Sequence, residues 1–343
     1  MAARTPLRAL SSNSVQPSTP QSSKKEPSCD ATRPIETIAI PNSTKRLELL
    51  AALGEGGFGT VYRGRDPVHG PVAVKECCDG GEETDREIAA HRALEAHHDA
   101  SGGSGDGLFV RLFYHVTTAT REMLVMELIQ GIELEDVVAN RRPLSRLPED
   151  EARRIARQLL TAVAFLHEAG IAHLDIKPRN VLVDAAGRSR LIDYGSSARF
   201  TAGDGGEVSD QGDSLPLRNV APERHEAEAG EGFNGPAADL FSVGCTIFYT
   251  LAGEDPFDMC TAAETDSIDA LIDRIEAGDV PFDALEPPLE AGERARELVR
   301  GLLEFEPEDR PSATDAMHHA WFAEGESAID ELGALLAAGA RVA

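Results

Sequence analysis

Asp175, Asn180 and Asp193 fall within one short stretch of this chain, and that clustering constrains its fold more than any other feature. The stretch reads His173-Leu174-Asp175-Ile176-Lys177-Pro178-Arg179-Asn180-Val181-Leu182-Val183 and, after a turn at Asp184 to Arg190, Leu191-Ile192-Asp193-Tyr194-Gly195. Three oxygen-bearing side chains so close together suit Mg²⁺ chelated jointly with substrate phosphates, since that ion takes few protein ligands and prefers oxygen.

Two earlier segments carry phosphate-binding chemistry of their own. Gly54-Glu55-Gly56-Gly57-Phe58-Gly59-Thr60-Val61 joins two strand-like runs, and its glycines let backbone amides approach phosphate oxygens at φ angles other residues avoid. Gly-rich hairpins are common, so this segment alone identifies nothing. A dinucleotide-binding turn would need a helix directly after the glycines, whereas Thr60 to Arg65 has strand character. Val72-Ala73-Val74-Lys75 ends an apolar run in a lysine that could reach a phosphate as a compact cation. An ordinary solvated lysine at a strand end is the plain alternative. Glu87, on the helix that follows, is preferred over Glu83 as the carboxylate that would hold it.

Around these segments the pattern divides into two halves. Short β-type runs at Leu47 to Leu53, Thr60 to Arg65 and Pro71 to Glu76 precede a helix over Glu82 to Ala96, and strands over Leu108 to Val116 and Glu122 to Leu128 follow. A five-stranded sheet with one helix is expected there. Beyond Gly131 the period becomes helical: Pro148 to Ala169, Pro236 to Leu251, Ser267 to Glu276, Ala291 to Glu304, Thr314 to Phe322 and Ala328 to Ala338. Ile329, Leu332, Leu335 and Leu336 recur at helical spacing in the tail after Phe322.

Composition narrows the classes. No run approaches the roughly 20 apolar residues of a spanning helix, so no membrane span is expected. A balance of 33 Lys+Arg against 59 Asp+Glu gives −26, a charge that repels nucleic acid and anionic lipid and favours basic partners or metal ions. Residues 1–46 differ: seven Lys+Arg against three Asp+Glu give +4 and leave −30 on the rest. Rich in Ser, Pro and Thr, this segment is expected to be a disordered basic arm or an organelle transit peptide. Five cysteines without a Cys-x-x-Cys pair fit reduced thiols, hence a cytoplasmic or other reducing compartment.

Taken in order, the motifs strongly resemble those of a eukaryotic-type protein kinase, from about Lys45 to Phe322. Later markers agree: Ala221-Pro222-Glu223 matches the end of the activation segment, Asp239-Leu240-Phe241-Ser242-Val243-Gly244 the helix that anchors the catalytic loop, and Glu306-Pro307-Glu308-Asp309-Arg310-Pro311-Ser312 the late arginine motif, with Arg310 expected to pair with Glu223. The resemblance implies an α+β bilobal fold: a small β-rich N-lobe (47–130) with one main helix, and a larger, mainly α C-lobe (131–322), with 323–343 as a helical tail. It implies ATP and Mg²⁺, a protein substrate, and no identified regulatory partner. Asp175 resembles the catalytic base, Lys177 the neutraliser of the transferred phosphoryl group, Lys75 with Glu87 the grip on the α- and β-phosphates, and Asn180 and Asp193 the Mg²⁺ ligands. Gly54, Gly56 and Gly59 resemble the phosphate-covering loop. Adenine is expected between Leu53, Val61 and Ala73 above and Leu182 below. Met126 resembles the gatekeeper, Glu127 and Ile129 the hinge contacts, and Glu133 a ribose contact.

Several positions depart from the family pattern. Leu174 replaces the arginine that receives an activation-segment phosphate, although the triplet His173-Leu174-Asp175 resembles that of the active myosin light chain kinase types. An activity independent of phosphorylation over Thr201 to Ser214 is the expectation, with a flexible acidic insertion as the plain alternative. Lys177-Pro178 resembles serine/threonine kinases, whereas Leu215-Pro216-Leu217-Arg218 is similar to tyrosine kinases; the catalytic loop weighs more, because Lys177 lies at the phosphoryl group. Arg179 stands where basic-directed members carry Glu. His91 falls at an apolar spine position, as a packed neutral ring or a pH-sensitive element, and Tyr194 replaces the usual Phe. The leading expectation is a protein serine/threonine kinase; a pseudokinase or ATP-binding scaffold, a tyrosine or dual-specificity kinase, and a small-molecule phosphotransferase are the alternatives.

Overall fold

The computed structural model describes residues 34–323, except 41–42, 57–58, 78–80, 104, 142, 144, 202, 204, 210–218, 228–230, 258–267, 279 and 283–291. The helix expected over 328–338, the stretch 215–218 and residues 1–33 lie outside them. In the first half, β1 (Glu36–Ala39), β2 (Arg46–Gly56), β3 (Gly59–Asp66), β4 (Gly70–Cys77), β5 (Leu112–Thr117) and β6 (Glu122–Glu127) form an antiparallel sheet in the order β1-β2-β3-β4-β6-β5. Strand parity explains what this sheet can do. Val72 and Val74 of β4 point to one face and pack with Ile38, Leu47, Leu49, Val116, Met123 and Val125. Ala73, Lys75 and Cys77 point to the other, beside Ile88, Leu124 and Met126. That second face receives helix α1 (Glu82–Ala100), which opens with Glu82, Glu83 and Asp85 at its positive end and buries Thr84, Glu87, Ile88, Ala90, His91 and Leu94.

The sheet has one strand more than expected. β1 lies inside the stretch read as an unstructured arm, and its Ile38, opposite Leu47, is 5% exposed. Flanked by Pro34 and Pro41, four residues are too few for periodicity to register. Leu108 to Arg111 is not the start of β5. Phe109 instead bridges to Leu191 and stacks on Phe165 at 5.6 Å, tying the sheet to the helical half.

After the sheet come β7 (Gly131–Glu133) and α2 (Leu134–Ala139), and then the long helix α3 (Glu149–Glu168). Short strands follow: β8 (Ile171–Ala172), β9 (Val181–Asp184), β10 (Ser189–Leu191), β11 (Ala198–Arg199) and β12 (Glu207–Ser209). β9 joins β7 and β10 in one sheet, and β8 pairs β11. Next stand α4 (Pro222–Glu226), β13 (Gly232–Asn234), which pairs β12, and α5 (Gly235–Ala252). The chain continues through α6 (Ile268–Glu276), α7 (Glu293–Leu302), α8 (Ala313–Met317) and α9 (Ala320–Ala323). The single helix expected over Thr314 to Phe322 is therefore two, the first capped by Ser312 Oγ accepting from Asp315 N at 3.1 Å. α5 is buried on nearly every side, which an amphipathic helix could not be, and forms the axis of the core with α3 and α7. It ends at Gly253 (φ 82°), where any Cβ would meet the Ser145 carbonyl. A β-rich lobe on a mainly helical one is the expected α+β bilobal arrangement.

Candidate active site

The strand parity that turns Lys75 inward and the helix face that buries Glu87 make one ion pair. Lys75 Nζ donates to Glu87 Oε2 at 2.7 Å and to Asp193 Oδ1 at 2.7 Å. Burial alone would depress the ammonium, but the two carboxylates outweigh it and hold Lys75 above its ordinary value. Burial also pushes the Glu87 carboxyl up, against the pull of Lys75. Asp193 is delivered by backbone in the left-handed region (φ 67°), unusual for a residue with a side chain.

The catalytic-type loop is built on α5. Asp239, fully buried, accepts from His173 N at 2.7 Å and Leu174 N at 2.8 Å, and its Oδ2 lies 2.9 Å from His167 Nε2. His173 then receives the Asp175 N–H on Nδ1 at 3.2 Å, and its Nε2 lies 3.2 Å from the Ile192 carbonyl, which fixes the orientation of the ring. The outcome is a tight cluster. Lys177 Nζ is 2.9 Å from both Asp175 oxygens, and Asn180 Nδ2 donates to Asp175 O and Oδ2 at 2.8 Å. Ile192 N donates to Asn180 O at 2.9 Å, linking this loop to the segment that carries Asp193.

Across the cleft, Ala73 pairs with Met126, Val61 with Lys75 and Gly54, and Leu182 with Glu133. Met126 is nearly buried with Ile129 packed on its cluster, while Leu53 is 53% exposed at the rim. Gly59 is required by its φ of 130° and because a Cβ would overlap the Glu76 carbonyl; Gly54 faces open space. Gly56 ends β2, opposite Gly59. Glu127 spends its carboxylate on Arg190, so only its backbone is available as a hinge contact. Glu133 is pushed up by burial and by Asp136 nearby. The donor set fits Mg²⁺ shared with phosphates: among the described residues no three His, Cys, Asp or Glu side chains could hold a metal alone, and Asn180 and Asp193 offer hard oxygens beside a fixed cation.

His91 packs its ring edge-on against Tyr194 at 4.9 Å, and Tyr194 meets His173 at 5.2 Å. Fully buried, neither His91 nitrogen has a well-aligned hydrogen-bond partner. Burial, then the nearby Lys75 charge, lower its pKa from 6.5 to about 4, partly opposed by the Val110 backbone and by Asp193. A histidine depressed in the fold stabilises it above its unfolded pKa and less so as pH falls toward the folded one. The melting temperature is therefore expected to drop between pH 7 and pH 5, and His91→Leu to flatten that slope in a pH series of thermal melts; an unchanged slope would assign the dependence elsewhere.

The expected pair of Arg310 with Glu223 is present and bidentate, at 2.7 and 2.9 Å. Sequence reading missed His167, Arg190 and Arg224. Each acts across 50 or more positions and sits in no local pattern.

Comparison with known proteins gives the same frame. A family model described as protein kinase domain matches residues 47–322. A putative CBL-interacting protein kinase 27 of Oryza sativa subsp. japonica is 32% identical over 285 residues, covering 81% of this chain and 64% of the relative. CBL-interacting serine/threonine-protein kinase 9 of Arabidopsis thaliana is 30% identical over 300 residues, 84% of this chain and 60% of the relative. Sperm motility kinase Z of Mus musculus is 32% identical over 220 residues, 64% and 40%. The chain thus spans less than two thirds of the length of these relatives. With its paired Lys75 and Glu87, its clustered Asp175, Lys177 and Asn180, and a match over most of its length, the chain belongs to the protein kinase domain family.

Proposed function

We propose that this protein is an ATP- and Mg²⁺-dependent serine/threonine kinase, moving the γ-phosphoryl group of ATP to a protein hydroxyl. One observation carries the reading: two lobes bring Lys75, Asp193, Asn180, Asp175 and Lys177 together with their charges already paired. In this reading Asp175 orients the acceptor hydroxyl and takes its proton, while Lys177 neutralises charge on the group in transfer. Lys75, fixed by Glu87, holds the phosphates. Asn180 and Asp193 would hold Mg²⁺, which when bound offsets the triphosphate's negative charge. Such positioning and charge stabilisation account for most of this class of reaction.

The Lys177-Pro178 sequence and the Arabidopsis thaliana relative named a serine/threonine-protein kinase favour those acceptors over tyrosine. Phosphoamino-acid analysis of a labelled protein substrate tests it: label on serine or threonine is expected, and label confined to tyrosine would overturn the assignment. The buried free thiols Cys77 and Cys245 support a reducing compartment. Among the described residues no helix is long and apolar enough to cross a membrane.

Arg179 bears on the choice of substrate. Exposed at the mouth of the loop, it pairs with Glu135 at 2.6 Å and sits near Glu133. The chain's own guanidinium therefore neutralises an acidic patch that a basic peptide could use. Arg179→Glu is expected to raise kcat/KM for arginine-bearing peptides by about tenfold, and for neutral ones by less than about threefold. A positional peptide library reads the difference; equal changes in both would contradict it.

A further inference from the structure

The residue directly before Asp175 has no charge to offer, because Leu174 is apolar and 6% exposed. Its backbone, at φ 62°, is nevertheless held from two sides. The N–H donates to Asp239, and the carbonyl accepts from the guanidinium of Arg224. Arg224 stands on α4, immediately after Ala221-Pro222-Glu223, and is 5% exposed. Its guanidinium carbon lies 5.9 Å from the centre of the Phe233 ring. Phe233 is the middle residue of β13 and faces Val208 of β12, both of them buried.

Contacts therefore run unbroken from β12, in the segment that follows Asp193, through Phe233 and Arg224 to the carbonyl that precedes Asp175. A buried guanidinium depends on the partners its donors and its face do find, here the Leu174 carbonyl for Nη1 and the Phe233 ring for the face. If β12 leaves β13, Phe233 loses its cover and the arginine loses the surface on which it rests. We infer that Arg224 is a positioning residue that sets the Leu174–Asp175 peptide and makes its setting depend on the seating of β12 against β13. This rests on the kinase reading above and adds a mode of regulation to it: the loop is set by a buried arginine and a strand pair, with no phosphate in the chain of contacts.

Steady-state phosphoryl transfer by the full chain tests it with Arg224→Met, Arg224→Lys and Phe233→Leu. Arg224→Met is expected to lower kcat about tenfold or more, the scale of one charge-assisted hydrogen bond, with KM for ATP within about twofold. Arg224→Lys should recover part of the loss, since it keeps a cationic donor. Phe233→Leu keeps the apolar filling and removes the ring face, so a kcat loss of about threefold at unchanged KM is expected. Arg224 variants with wild-type kcat, or a folded Arg224→Lys no better than Arg224→Met, overturn the inference. Should Arg224→Met fail to fold, Phe233→Leu decides, and wild-type kcat there overturns it too. Failure of the wild type itself to transfer phosphate removes the kinase reading and this inference together, whereas an active wild type with indifferent variants removes only this one.

Discussion

Asp175→Asn is expected to reduce kcat by about 10²–10⁴-fold, the usual contribution of a positioned general base. The carboxylate serves two neighbours at once: both oxygens face Lys177 Nζ, and Oδ2 also accepts from Asn180 Nδ2. An amide in its place keeps the shape and loses the charge, and its NH₂ group would confront one of those two donors. It also has no affinity for the proton that leaves the acceptor hydroxyl. The proposed mechanism assigns nucleotide binding to other residues, so ATP affinity of the variant should stay within about threefold of wild type. Turnover measured beside nucleotide-dependent thermal stabilisation separates these effects; loss of both in equal measure would point to a damaged fold.

Lys75→Met is expected to do damage of a second kind. Removing the ammonium leaves the Glu87 and Asp193 carboxylates, 3% and 21% exposed, converging on an apolar side chain. Taking one partner from a buried pair costs about 3–5 kcal/mol, and here two like charges are left behind. A drop in melting temperature on the order of 10 °C follows for a domain of this size. Protonation of one carboxylate relieves the repulsion, so the deficit against wild type should shrink as pH falls from 8 to 5. Phosphoryl transfer should fall by about 10³-fold or more, because the cation proposed to grip the phosphates and the tether on α1 disappear together. A deficit in melting temperature that does not change with pH would contradict the proposed charge arrangement.

The Lys75–Glu87 pair was legible through the order of motifs that resembles the kinase family, with Glu87 on the helix after the Lys75 strand; in the structure alternation along β4 turns Lys75 to the helix face, and α1 buries Glu87 one turn before His91. Asp175, Asn180 and Asp193 were legible through sequence proximity, which limits how far apart a short loop and hairpin can carry them. What the sequence did not disclose depends on distance along the chain. β1 has a single buried anchor, Ile38, whose partner Leu47 lies nine positions on, beyond Pro41. Phe109 reads as one more residue of a strand, yet its ring belongs to the helical lobe, and only the assembled core explains why. Arg224 looks like an ordinary polar residue of a short helix; its contact with Leu174 exists because α5 brings the two segments together. The same holds for Arg190, whose guanidinium engages the Glu127 carboxylate from 63 positions away. The helix expected over 314–322 failed for a local reason, since His318 and His319 interrupt its apolar face and the chain turns there.

The most direct measurement is transfer of label from γ-labelled ATP, with Mg²⁺, to serine or threonine of a protein substrate by the wild-type chain and by Asp175→Asn in parallel. The arrangement of Lys75, Asp193, Asn180, Asp175 and Lys177 predicts transfer by the wild type and a loss of at least about 10²-fold in the variant. Equal incorporation by the two proteins would contradict it.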